Sequence, residues 1–220
     1  MLQNGGAAAL LQRGQRPADR PAAALGGAEP GGVVAADLDG DGALDLMVTN
    51  LGSDDISLLR GDGSGGFAPQ ILIPVLAGPR TVGVADLDAD GILDLLVAGR
   101  VGLLALRGLG DLRYAPIGTA LPYRANGPLY WWDESAKLCD RDGDSYPDVM
   151  LALRDFDEGS ERIAQIHGGP DLRFRGLEFV VSEKFLTLIA CADFDEDGLD
   201  DLLYARRPDM QLFIVLTAGR

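Results

Sequence analysis

At 220 residues the chain holds enough material for one sizeable domain or two small ones. Its 47% apolar and 24% charged content is ordinary for a globular protein, but its net charge of −15 is not. That charge leaves no basic stripe for nucleic acid, and no apolar run is long enough to span a bilayer.

The amino terminus offers only Ala7 to Leu11 as an apolar patch and lacks a basic start, so no export signal is visible. Met1-Leu2-Gln3-Asn4-Gly5-Gly6 reads as a hairpin between a third and a fourth strand. Residues 12–32, with Pro17, Pro21 and Pro30 among many Ala and Gly, read as a loose connector.

Then comes Asp37-Leu38-Asp39-Gly40-Asp41-Gly42-Ala43-Leu44-Asp45. Its carboxylates occupy positions 1, 3, 5 and 9, with Gly at position 6. Such crowding is strongly repulsive unless a cation sits among the oxygens, and an all-oxygen donor set from a tight loop suits Ca²⁺. The loop recurs as Asp86, Asp88, Asp90 and Asp94, as Asp140, Asp142, Asp144 and Asp148, and as Asp193, Asp195, Asp197 and Asp201. Gly91 and Gly198 hold the sixth place in two copies, and Ser145 holds it in the third. The loops own 16 of the 34 acidic residues, and the remaining 18 face 19 Lys and Arg. The acidity is therefore local ligand charge.

Loop starts at 37, 86, 140 and 193 give steps of 49, 54 and 53 residues. After each loop come a short apolar strand, a second one and a turn, opened by Arg60, Arg107 or His167 in the first three units. An aromatic follows seven residues later at Phe67, Tyr114 or Phe174. Four-stranded units at a period near fifty residues predict an all-β fold, a β-propeller of four repeats of four-stranded antiparallel blades. The expected organisation is a fourth-strand segment and connector over 1–32, then repeats over 33–220, in blades of about 33–80, 81–133, 134–187 and 188–220. The chain starts near the phase at which it stops, so its amino-terminal strand is expected to complete the last blade. Four units close alone, pair with a second copy to complete a larger ring as a homo-oligomer, or form an arc of a longer array. All three remain open.

These loops, with the hairpin Gly61-Asp62-Gly63-Ser64-Gly65-Gly66-Phe67, resemble the FG-GAP/VCBS family of calcium-binding propeller repeats, the integrin-alpha-like kind. The resemblance implies that side chains at positions 1, 3, 5 and 9 bind Ca²⁺ together with the position 7 carbonyl. Those carbonyls belong to Ala43, Ile92, Tyr146 and Leu199, giving up to four Ca²⁺ sites. An EF-hand is excluded, because position 12 is Val48, Val97, Leu151 or Tyr204 instead of a bidentate acid.

Other motifs have plainer readings. The glycine run after Arg60 matches a dinucleotide-binding fingerprint, but a strand follows it where that fingerprint needs a helix. Arg60-Gly61-Asp62 spells an adhesion tripeptide from common turn residues. His167, the sole histidine, is expected as an exposed turn residue, and no partnered nucleophile can be built around it. Cys139 and Cys191 precede metal loops and are expected as two buried thiols, with a bridge between neighbouring repeats as the alternative.

An insertion between Tyr114 and Asp140 carries Tyr123, Tyr130, Trp131 and Trp132, the best candidate recognition surface, with a core role for Trp131 and Trp132 as the equal alternative. The expectation is a non-enzymatic, calcium-binding recognition module for a protein or carbohydrate partner, secreted, periplasmic or on the cell surface. Its rival is the propeller portion of a carbohydrate-active enzyme such as a polysaccharide lyase.

Overall fold

The computed structural model describes residues 27–121, 129–155, 160–207, 209 and 211–217. Each Asp loop joins the first two strands of an antiparallel sheet, and the sheets follow one another as the blades of a four-bladed β-propeller. Blade one holds β1 (Pro30–Ala36), β2 (Asp45–Asn50), β3 (Asp55–Leu59) and β4 (Ile71–Pro74). Blade two holds β5 (Pro79–Ala85), β6 (Asp94–Gly99), β7 (Gly102–Gly108) and β8 (Tyr114–Leu121). Blade three holds β9 (Leu129–Cys139), β10 (Asp148–Asp155), β11 (Ser160–His167) and β12 (Arg175–Glu183). In blade four, β13 (Leu186–Ala192), β14 (Asp201–Arg206) and β15 (Gln211–Val215) are described. The segment expected to supply its fourth strand, Met1 to Gly6, lies outside the described residues. No α-helix occurs among the described residues, and one 3-10 turn spans Pro170–Leu172.

The first strands β1, β5, β9 and β13 neighbour one another in turn. Three apolar cores fill the seams between consecutive blades. Met47, Ile56 and Leu58 of blade one meet Leu95, Val97 and Leu106 of blade two. Leu96, Leu103 and Ala105 then meet Val149, Leu151 and Ile166. Met150, Ala152 and Ile163 meet Leu186, Leu188, Leu202 and Tyr204. The period of two along each strand sends alternate side chains into opposite seams, so each middle strand is apolar on both faces.

Two expectations change. Cys139 and Cys191 form a disulfide that ties β9 to β13 across the third seam, with Cα atoms 5.9 Å apart. Both residues occupy ends of first strands next to a loop, and neighbouring first strands lie side by side, which a spacing of 52 residues does not reveal. Part of the aromatic insertion is strand. Tyr130, Trp131 and Trp132 belong to β9, with Trp131 opposite Leu153 and Tyr130 opposite Arg154, while Tyr123 lies outside the described residues. Blade three thus begins at Leu129, upstream of residue 134.

Candidate metal loops and the seams beside them

Each loop is folded by its own carboxylates. At position 1, Asp37 Oδ1 accepts the Gly40 and Asp41 amides at 2.9 and 3.1 Å, and Oδ2 accepts the Gly42 amide at 2.9 Å. At position 5, Asp41 accepts the Ala43 amide at 2.8 Å. The same two bonds recur at Asp86 and Asp90, at Asp140 and Asp144, and at Asp193 and Asp197. In each case the position 7 residue, Ala43, Ile92, Tyr146 or Leu199, donates the second amide.

Two left-handed residues per loop make these bonds reachable. Position 6 has φ of 86, 86, 70 and 91° at Gly42, Gly91, Ser145 and Gly198. Position 4 has φ of 75, 61, 75 and 61° at Gly40, Ala89, Gly143 and Glu196. Glycine at the fourth place in two loops was the available signal for the second requirement, and Ala89 and Glu196 hid it.

The result is four clusters in which carboxylates at positions 1, 3 and 5 lie within 4.8 Å of one another and can hold a metal ion. Their members are Asp37, Asp39 and Asp41; Asp86, Asp88 and Asp90; Asp140, Asp142 and Asp144; and Asp193, Asp195 and Asp197.

Position 9 is placed differently. Asp45 is fully buried, and its oxygens accept the Leu38 amide at 3.0 Å and the Gly61 amide at 2.8 Å. Asp94 receives Leu87 and Gly108, Asp148 receives Arg141 and Gly168, and Asp201 receives Phe194 and Thr217 in the same way. Each carboxylate therefore pins the loop start to the turn after the third strand, and only its remaining lone pairs would be left for an ion. Burial pushes the Asp94 and Asp148 carboxyls above their ordinary value, partly opposed by those backbone amides. At Gly61, Gly108 and Gly168 a side chain would strike the carbonyls of Leu44, Leu93 and Pro147, so three blades need glycine there.

The turn residues align as expected, with a closer role. Arg60 pairs with Asp39 at 2.5 Å and with Asp111 of the next blade at 2.8 Å. That hydrogen bond to Asp111, with the nearby carboxylates, raises the Arg60 guanidinium above its ordinary value. Arg107 pairs with Asp88 at 2.6 Å and lies 3.7 Å from Asp171 of its next blade. His167 is half-buried rather than exposed, with Nδ1 3.3 Å from Asp142 and 3.6 Å from Asp148. Each position 3 carboxylate in these blades thus meets a basic side chain from its own turn.

Arg141 and Gln165 were not legible as a pair. Arg141 stands where sister loops carry Leu38, Leu87 and Phe194, and its Nη1 donates to Gln165 Oε1 at 2.8 Å. Gln165 in turn donates to Asp148 at 2.8 Å. Burial lowers the Arg141 guanidinium, while Asp148 and Asp201 oppose that shift. Loop four closes the network, with Asp200 accepting the Asp140 amide at 2.9 Å. The adhesion-like tripeptide is committed internally, since Asp62 accepts the Ser64 and Gly66 amides at 2.8 Å.

Residues 37–97 match the model of the FG-GAP-like repeat. No curated protein matches the chain. Among solved structures, a lectin from Agrocybe aegerita that recognises non-reducing terminal N-acetylglucosamine superposes with a TM-score of 0.57 and 19% identity. The match covers 85% of this chain and 49% of the lectin, so this chain spans about half the lectin's length. The Photorhabdus luminescens Tc holotoxin pore gives a TM-score of 0.50 and 20% identity over 83% of this chain and 9% of that one. At such identities the likeness is one of fold. Residues 37–97 are thus similar to FG-GAP-like repeats, and loops 140–148 and 193–201 fold their carboxylates in the same way.

Proposed function

We propose that the chain is a calcium-stabilised propeller module whose task is recognition of a partner, carbohydrate or protein. One observation carries this reading: four loops each gather three carboxylates within 4.8 Å on a backbone folded around them. Hard oxygen donors in a flexible loop suit Ca²⁺, with Asp45, Asp94, Asp148 and Asp201 and the carbonyls of Ala43, Ile92, Tyr146 and Leu199 filling out the shell. The metal is scaffold here. It neutralises the loops and stiffens the blades, while recognition uses the surfaces they hold in place. The Cys139–Cys191 bridge supports work outside the reducing cytoplasm, where Ca²⁺ is also plentiful.

The test is thermal unfolding and solution mass in Ca²⁺ and in chelator. Each site filled to a hundred times its Kd adds about 2.7 kcal/mol, so the melt should fall sharply on chelation. An identical melt in both buffers would sink the calcium reading, and a mass of two chains in Ca²⁺ would place the module in a shared ring.

A further inference from the structure

One strand position decides how well each seam is filled. Register places Leu58 opposite Met47, Ala105 opposite Leu96 and Gln165 opposite Met150. Leu58 is fully buried and fills the first seam. Ala105 brings only a methyl group to the second, and a cleft of about 780 Å³ lies there. That volume is within the usual range for small-molecule sites, roughly 300 to 1,000 Å³.

The cleft has two chemistries. Its floor is apolar, with Leu96 and Leu103 beside Ala105 and with Phe174 at the wall. Arg107, Arg173 and Arg175 also line it, with one carboxylate, Asp171, which lies 3.7 Å from Arg107. Arg173 and Arg175 are exposed, and among the described residues neither guanidinium has a carboxylate partner, in a chain of net charge −15. The Arg107 Nε is buried without a hydrogen-bond acceptor. Three guanidinium groups against one carboxylate, Asp171, border an apolar floor, a net positive rim complementary to a ligand with a C–H face and an anionic edge.

We infer that this cleft between blades two and three binds an acidic saccharide, a sugar whose carboxylate meets Arg107, Arg173 and Arg175 while its ring packs on Phe174 and Leu103. The choice of a saccharide rests on the recognition reading above; the anionic edge rests on the cleft alone. Arg107 also ties the cleft to loop two, because its present partner is the position 3 carboxylate Asp88. Asp88 Oδ1 is buried without a hydrogen-bond partner, so an ion on loop two can take that oxygen while Oδ2 keeps Arg107 in place at the cleft.

The experiment is titration calorimetry of the full chain with trigalacturonate, with neutral galactotriose and with inorganic phosphate, each in Ca²⁺ and in chelator. Trigalacturonate should bind in Ca²⁺ at least tenfold more tightly than either comparison compound. Arg173→Gln, on an exposed turn, should weaken it about tenfold, the usual scale for one charge-assisted hydrogen bond. Ala105→Leu should abolish it by filling the floor, with the melt as a check on folding. Equal binding of galactotriose overturns the charge assignment and leaves the recognition reading intact. Equal binding of phosphate overturns the saccharide. No binding by trigalacturonate, or an unchanged affinity in Arg173→Gln, overturns the cleft as a site, while a calcium-dependent melt in the same samples preserves the scaffold.

Discussion

The first two seams are built from the same parts and differ in how tightly they close. In the first, Leu58 fills the space beside Met47, and Arg60 reaches Asp111 of the next blade at 2.8 Å. In the second, Ala105 stands in that register position, and Arg107 stops 3.7 Å from Asp171. The partner hairpins match at three of four positions, Asp111-Leu112-Arg113-Tyr114 against Asp171-Leu172-Arg173-Phe174. Their first two residues are left-handed in both, with φ of 53 and 56° against 58 and 57°. The frame is thus constant at these positions, and the side chain at the shared register position shrinks from Leu58 to Ala105 where the cleft lies. The third seam changes the chemistry instead, with Gln165 at that position and Arg141 at the loop. It is also the seam that carries the disulfide.

The largest expected effect lies in that third seam. The Cys139–Cys191 bond joins residues 52 apart, and removing such a constraint costs about 4 kcal/mol in the chain-entropy account. Cys139→Ser with Cys191→Ser should therefore lower the denaturant midpoint by the equivalent of about 4 kcal/mol, in the upper part of the range for a core truncation in another seam. If reduction leaves the midpoint where it was, the polar network around Arg141 holds blades three and four together without covalent help.

Next in size is a change that turns the closed seam into the open one. Leu58→Ala removes a fully buried side chain and should cost about 2–5 kcal/mol, depending on how far the seam collapses. The reverse change, Ala105→Leu, enters existing space and should cost little. Equal losses from the two would mean that the cleft lies outside the path of that side chain.

Which parts of this were readable beforehand follows from what local spacing can carry. The four Asp loops announced the blades, because each loop is a local structure whose amides and carboxylates lie within nine residues of one another. The turn residues Arg60, Arg107 and His167 could be aligned, but their meeting with Asp39, Asp88 and Asp142 needed the third strand to return beside the loop. Asp45 and its equivalents were read as ligands like the rest. Their aim toward Gly61, Gly108, Gly168 and Thr217 depends on that same return. Ala105 is unremarkable in sequence, and only the register that sets it against Leu58 and Gln165 shows that a volume is missing. The Tyr130 to Trp132 stretch was read as part of an insertion between repeats, and β9 takes it up by running 11 residues.

The smallest effect separates the same two seams by pH. Tyr114 packs against the first core and Phe174 against the second, at matching places in the two hairpins. Burial, with smaller contributions from Asp45, Asp94 and Asp39, pushes the Tyr114 hydroxyl up from 10.0 to about 12. A folded-state value above the unfolded one means that the folded chain holds the proton more tightly. That contribution to stability is complete below about pH 10 and is lost as pH rises through about 12. Chemical unfolding measured across this range should show a loss that Tyr114→Phe reduces, while the second seam, with Phe174, contributes no such term. A Tyr114→Phe variant with the parent's full alkaline slope would show that this ring is hydrated in the folded state and that the first seam is less tightly closed than its packing indicates.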